Sequence, residues 1–156
     1  MNTAFYIEDE AAMLVFGAQL ATVLLPGSVV FLHGELGVGK TTLVRGFLRT
    51  LGFDRAVKSP TYTLVESYSS GGHKVFHFDL YRLAEPDELE YMGIRDYFDS
   101  SAICFIEWPE RGSGLLPSPV LEITFFHQER GRVVQLSAAD PSLAGKIAEQ
   151  LQGNSN

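Results

Sequence analysis

The sequence predicts an α/β fold: a mixed central sheet flanked by helices, with β-hairpin additions. Three observations predict it. The apolar run Val29–Leu32 leads into the glycine-rich Gly34-Glu-Leu-Gly-Val-Gly39, and a second apolar run at helical spacing follows. β-rich runs flank Ser69-Ser-Gly-Gly72 and again Glu129-Arg-Gly131, each pair a hairpin signature. Ala102–Ile106 is a short run with no polar side chain, the pattern of a strand buried on both faces.

Taken in order, Asp9 is placed to cap a helix over roughly Glu10 to Leu24, where Met13, Leu14, Phe16, Leu20 and Leu24 recur at helical spacing and Pro26-Gly27 closes the run. A strand follows over Ser28–His33. After the glycine loop, a helix spans Thr41–Leu51 with Val44, Phe47, Leu48 and Leu51 on one face and Gly52 as its stop. Tyr62–Tyr68 and Lys74–Asp79 form the first hairpin. Glu85–Met92 is helical, Gly93 interrupts it, and a second helical piece covers Ile94–Phe98. The strand Ala102–Ile106 ends in Glu107, residues 109–119 are a Gly- and Pro-rich loop, and Val120–His127 pairs with Val133–Ser137. A helix over Ser142–Gln152 precedes a polar tail from about residue 153. Residues 1–156 contain no repeat or linker and are read as one domain.

Composition narrows the class. At 156 residues with 46% hydrophobic and 20% charged side chains, the chain suits a soluble globular domain with one core. A net charge of −7, from 19 acidic against 12 basic residues, argues against unaided binding to DNA or RNA, which clustered Lys and Arg drive. Any nucleic acid is expected to be held by a partner. Cys104 is the only cysteine, so no internal disulfide forms. The acidic start, Met1–Glu10, is not a secretory signal, and Ala11–Leu25 is too short and too interrupted to cross a bilayer. A cytoplasmic protein with no membrane contact is expected.

Gly34-Glu-Leu-Gly-Val-Gly-Lys40-Thr41 satisfies G-x-x-x-x-G-K-[ST] in full, between a strand and a helix. These elements together give a P-loop nucleotide-binding fold. Its glycines let successive N–H groups turn toward phosphates, and the following helix points its positive end at the same place. The phosphates are expected over Gly37, Val38, Gly39, Lys40, Thr41 and Thr42, with Lys40 on the β and γ oxygens and the Thr41 hydroxyl on Mg²⁺. The N-K-x-D pattern of Ras-type guanine sites is absent, so an adenine nucleotide, ATP, is the better fit. Two acids end apolar strands where a metal-organising carboxylate belongs: Asp79 and Glu107. Each could instead be half of an ion pair with an arginine such as Arg82 or Arg111. His33, His73, His77 and His127 lack zinc spacing; packing or hydrogen bonding is the expected role, with His77 placed to orient Asp79. Arg130 and Arg132 on the late hairpin could reach the nucleotide, but solvated turn residues are the better reading.

Several stretches then fall together: Gly34–Thr42, Lys58-Ser-Pro-Thr-Tyr-Thr-Leu-Val65, His77-Phe-Asp-Leu-Tyr-Arg-Leu83, Glu88-Leu-Glu-Tyr-Met-Gly93 and Ile106-Glu-Trp-Pro-Glu-Arg111. In order and spacing, from about residue 5 to 137, they resemble the TsaE (YjeE) family, the bacterial ATPase needed to make threonylcarbamoyladenosine in tRNA. The resemblance implies that Lys40 binds phosphate, that Thr41 and Glu107 are the Mg²⁺ ligands, and that Asp79 is an essential acid. It implies a mobile switch loop at Ser59-Pro-Thr61, an aromatic at Trp108 beside the metal carboxylate, and an adenine near Glu10. Glu35 and Val38 stand where Asp and Ala are expected, at positions read as outward-facing spacers. The family acts with the TsaB–TsaD pair, which binds the tRNA, in agreement with the acidic charge. Two other readings fit the same residues: a small-molecule kinase with Arg82, Arg95 or Arg111 as lid arginines, and a nucleotide-gated binding module with negligible catalysis.

Overall fold

Apolar residues on both sides of a strand demand cover on both sides, and the middle of this molecule is built that way. The computed structural model describes residues 2–53 and 64–153. Its seven strands are β1 (Asn2–Ile7), β2 (Val29–His33), β3 (Val65–Ser70), β4 (His73–Asp79), β5 (Ile103–Glu107), β6 (Leu121–Gln128) and β7 (Gly131–Ala138). They form one sheet in the order β1-β7-β6-β2-β5-β4-β3. The inner four, β6, β2, β5 and β4, run parallel; the hairpins β3–β4 and β6–β7 and the pair β1–β7 are antiparallel. The mixed sheet with hairpin additions is therefore as predicted. β1 is an addition to that reading, because a lone edge strand next to an acidic run carries little periodic signal.

Alternate side chains of the parallel strands enter two separate cores. On one face, α1 (Glu10–Leu20), α2 (Lys40–Thr50) and α4 (Pro141–Gly153) pack Phe16, Leu20, Leu43, Phe47 and Ile147 against Val30, Leu32 and Phe105. The rings of Phe47 and Phe105 meet edge to face, centroids 4.8 Å apart. On the other face, Phe76, Phe78, Cys104 and Ile106 pack under Leu80, Leu89 and Ile94. Among the described residues, no helix is long and apolar enough to cross a membrane.

Several boundaries move. Asp9 caps α1 by accepting from Ala12 N at 2.8 Å, as read. The helix stops at Leu20 rather than Leu24, and residues 21–23 tighten into turns ahead of Pro26. Gly39 caps α2, so the helix begins at Lys40. The helix expected over Glu85–Met92 shrinks to α3 (Asp87–Tyr91), and Ile94–Tyr97 and Pro109–Gly112 are 3-10 turns. The segment Ser59-Pro-Thr61 lies outside the described residues.

α1 and α2 cross with almost no space between their backbones. A Cβ at Gly17 would lie 2.0 Å from Leu43 O, and one at Gly46 would lie 2.1 Å from Leu14 O. The two glycines face each other's helix, and only hydrogen fits at either.

Cys104 is buried in the middle of β5, as its sequence context suggested. Burial, and secondarily the field of Asp99, pushes its thiol up to about 12. A thiol-alkylating reagent at pH 8 is expected to leave the native protein unlabelled and to label it on unfolding. Rapid labelling of the native chain would contradict the packing of β5.

Candidate active site

β2 is the middle strand of the seven, and it delivers the glycine loop at the carboxyl ends of the parallel strands. Gly37 (φ 75) and Gly39 (φ 117) adopt left-handed backbone that side chains disfavour, and this turns the loop back into the first residue of α2. A Cβ on Gly39 would also strike Met13 of α1, 2.9 Å away. At Gly37 the space in front of the loop is open.

Lys40 opens α2 with only 4% of its surface exposed. Its Nζ donates to Gly34 O, lies 3.8 Å from Glu107 Oε1 and sits 4.4 Å from the centroid of the Trp108 ring. Burial lowers its pKa below 10.5, opposed by the carboxylates of Glu107, Asp79 and Glu110. Glu107 ends β5 at 3% exposure and pairs in register with both Leu32 of β2 and Asp79 of β4. Parallel pairing in register is what sets the two acids side by side beside the loop. Asp79 Oδ1 accepts from Tyr81 N at 3.1 Å, a local turn that fixes the carboxylate at the strand end.

Trp108 follows Glu107 and precedes Pro109. Its left-handed backbone (φ 58, ψ 49) costs of order 1–2 kcal/mol for a bulky residue, and the ring lies over Lys40 against Tyr81, 5.0 Å between centroids.

All the predicted positions border one cleft of about 510 Å³: Glu10, Gly37, Val38, Gly39, Lys40, Thr41, Thr42, Asp79 and Glu107. Glu10 is largely exposed and pairs with Arg45 of α2 at 3.4 Å. Three features differ from the sequence reading. Val38 is not an outward spacer: its side chain is 1% exposed and its carbonyl accepts from Arg132 Nε at 3.0 Å. Arg130 and Arg132 are not simply solvated, since both line the cleft. His77 bonds Glu107 Oε2 at 2.6 Å, the neighbouring strand's acid rather than Asp79. Glu35 does point outward, at 85% side-chain exposure. Among the described residues Glu107 pairs with Lys40 and His77 and not with Arg82 or Arg111. The three arginines of the kinase reading do not border the cleft, and Arg95 pairs with Glu90. Arg45 carries no motif that marks it in the sequence, although it stands on the exposed side of the helix that follows the loop.

A mixed sheet whose central strand feeds a complete glycine-lysine-threonine loop into a helix start, with two strand-end acids beside it, defines a P-loop α/β protein. Comparison with known proteins gives the family. The sequence profile described as "Threonylcarbamoyl adenosine biosynthesis protein TsaE" matches residues 7–134, and the chain belongs to the TsaE family. It is 50% identical over 138 residues to the tRNA threonylcarbamoyladenosine biosynthesis protein TsaE of Haemophilus influenzae, covering 85% of this chain and 87% of that one. It is 35% identical over 151 residues to the protein of the same name from Nostoc sp., covering 94% and 92%. In fold it is similar to the crystal structure of Bacillus subtilis YdiB, with a TM-score of 0.80 at 24% identity over 99% of this chain and 97% of that one.

Proposed function

We propose that this chain is the ATP-binding and ATP-hydrolysing subunit required for threonylcarbamoyladenosine modification of tRNA, acting in the cytoplasm with the TsaB–TsaD complex. The observation that carries the reading is the meeting of Lys40, at the start of α2, with Glu107, at the end of β5, over an open glycine loop. A buried ammonium held by a carbonyl and a carboxylate is a cation poised to exchange those partners for phosphate oxygens.

The donor set suits the cofactor. Among the described residues, no group of three or more Asp, Glu, His or Cys could cage a metal. Mg²⁺ in phosphate sites takes one or two protein oxygens and completes its shell with phosphate and water. Thr41 and Glu107 would supply those oxygens, and Mg²⁺ held there would offset phosphate charge. The backbone N–H groups of residues 37–42 would hold the phosphate oxygens. Lys40 would leave Gly34 O for the γ-phosphoryl group, whose charge grows in the transition state. Asp79, level with Glu107, would orient the attacking water. Glu10, Arg45, Arg130 and Arg132 line the same cleft, and a base and ribose would extend among them. With a net charge of −7, the chain would leave tRNA mainly to its partners.

ATP turnover should be slow for the chain alone and rise at least about tenfold with the TsaB–TsaD pair, the partner completing or ordering the site. Release of phosphate, measured with and without the pair, checks this. Fast hydrolysis alone that the pair does not change would contradict the coupling.

A further inference from the structure

We propose that His77 is a positioning residue that selects which oxygen of Glu107 faces the cleft. The inference rests on the reading of Glu107 as an ATP-site carboxylate. His77 is fully buried on β4, two residues before Asp79 and so on the same face of the sheet, where register sets it opposite Phe105 on β5. Its Nε2 lies 2.6 Å from Glu107 Oε2. Its Nδ1 is buried and has no hydrogen-bond partner among the described residues.

These two observations exclude one form of the ring. In the Nδ1–H tautomer the Nε2 lone pair would face the carboxylate at close range, and a donor would be stranded at Nδ1. A ring that carries hydrogen at Nε2 donates to Glu107 Oε2, which the Nδ1–H tautomer cannot do.

The consequence falls on Glu107. With Oε2 committed to His77, Oε1 is the oxygen on the Lys40 side, 3.8 Å from Nζ. Without the pin, the carboxylate is free to rotate and engage Lys40 with both oxygens, closing the position that a cation needs. His77 thus keeps Lys40 and Glu107 close without letting them collapse into a two-oxygen pair. Hydrogen bonds of this kind, behind a ligating group, typically change metal affinity or activity by about 10–100-fold when removed.

The test uses the full chain with two substitutions, His77→Phe, which keeps a ring and removes the donor, and His77→Gln, whose amide nitrogen reaches to a similar point. The nitrogen NMR spectrum of the wild-type ring should show a hydrogen on Nε2. In His77→Phe the Mg²⁺ concentration needed for ATP turnover, and for Mg²⁺-enhanced ADP binding by calorimetry, should rise about 10-fold or more, while His77→Gln stays within about 3-fold of wild type. ADP affinity without metal should not change in either. Glu107→Gln is the control. If it raises the Mg²⁺ requirement and His77→Phe does not, the positioning role is overturned while the reading of Glu107 stands. If Glu107→Gln changes nothing, the reading of Glu107 fails and the inference with it. Should His77→Phe not fold, the wild-type spectrum decides: a ring with no hydrogen on Nε2 overturns the proposal.

Discussion

Replacing Lys40 by methionine is expected to lower ATP turnover by about 10²–10³-fold or more, the usual cost of deleting one preorganised charge at a transition state. Methionine keeps most of the buried stem, so the helix start should keep its packing and the loss should come from the charge. ADP binding should weaken as well, because the ammonium would reach the β-phosphate in the proposed site. The folded protein without nucleotide loses stability too. Glu107, 3% exposed, would keep His77 but lose its cation, and an uncompensated buried charge costs about 3 kcal/mol. Calorimetric titration with ADP and a phosphate-release assay check the first two effects, and thermal unfolding the third. Unchanged ADP affinity in a folded Lys40→Met protein would remove Lys40 from the phosphate site.

Gly46→Ala is expected to be among the most destabilising single-methyl additions in the chain. The new Cβ would stand 2.1 Å from Leu14 O, and at Gly17 the equivalent distance to Leu43 O is 2.0 Å. Backbone cannot yield as a flexible side chain does, so α1 and α2 must separate. The cost is about 3 kcal/mol, the upper part of the range for overpacking, which lowers the melting temperature by roughly 10 °C in a chain of this length. Separation also moves function. α1 brings Met13 against Gly39 and Glu10 against Arg45, so a shifted α1 loosens the loop and the far wall of the cleft together. Thermal unfolding with and without ADP checks both. Wild-type melting behaviour in the Gly46→Ala protein would contradict the close crossing.

The phosphate loop was legible because its information is local. Strand, glycines, Lys40, Thr41 and helix lie within about one βα unit, and the backbone conformations at Gly37 and Gly39 are ones that glycine tolerates best. The hairpins were legible for the same reason, since Gly71-Gly72 and Glu129-Arg130 mark their turns. What joins distant parts was not. That β5 lies between β2 and β4, bringing Glu107 level with Asp79, depends on strand order, which no local pattern encodes. His77 therefore read as a neighbour of Asp79, two residues away, when its partner is across the sheet. Val38 read as a spacer because loop position suggests exposure, but the loop folds its side chain into the core. Arg132 sits beside a turn and looks solvated until β7 is laid near the loop, where it bonds Val38 O. Gly17 and Gly46 gave no signal individually. Their meaning lies in the contact between two helices.

The proposed function has hydrolysis at this cleft, and not ATP binding alone, drive the modification cycle, with tRNA held on other surfaces, in keeping with the acidic balance of the chain. The most direct measurement uses Glu107→Gln protein with the TsaB–TsaD pair, following bound ATP, released phosphate and modified tRNA together. ATP should remain bound, phosphate release should fall by about 10²-fold or more, and modification should stall after roughly one round per complex. Repeated rounds of modification at the wild-type rate, with hydrolysis abolished and ATP still bound, would instead make the chain a nucleotide-gated binding module.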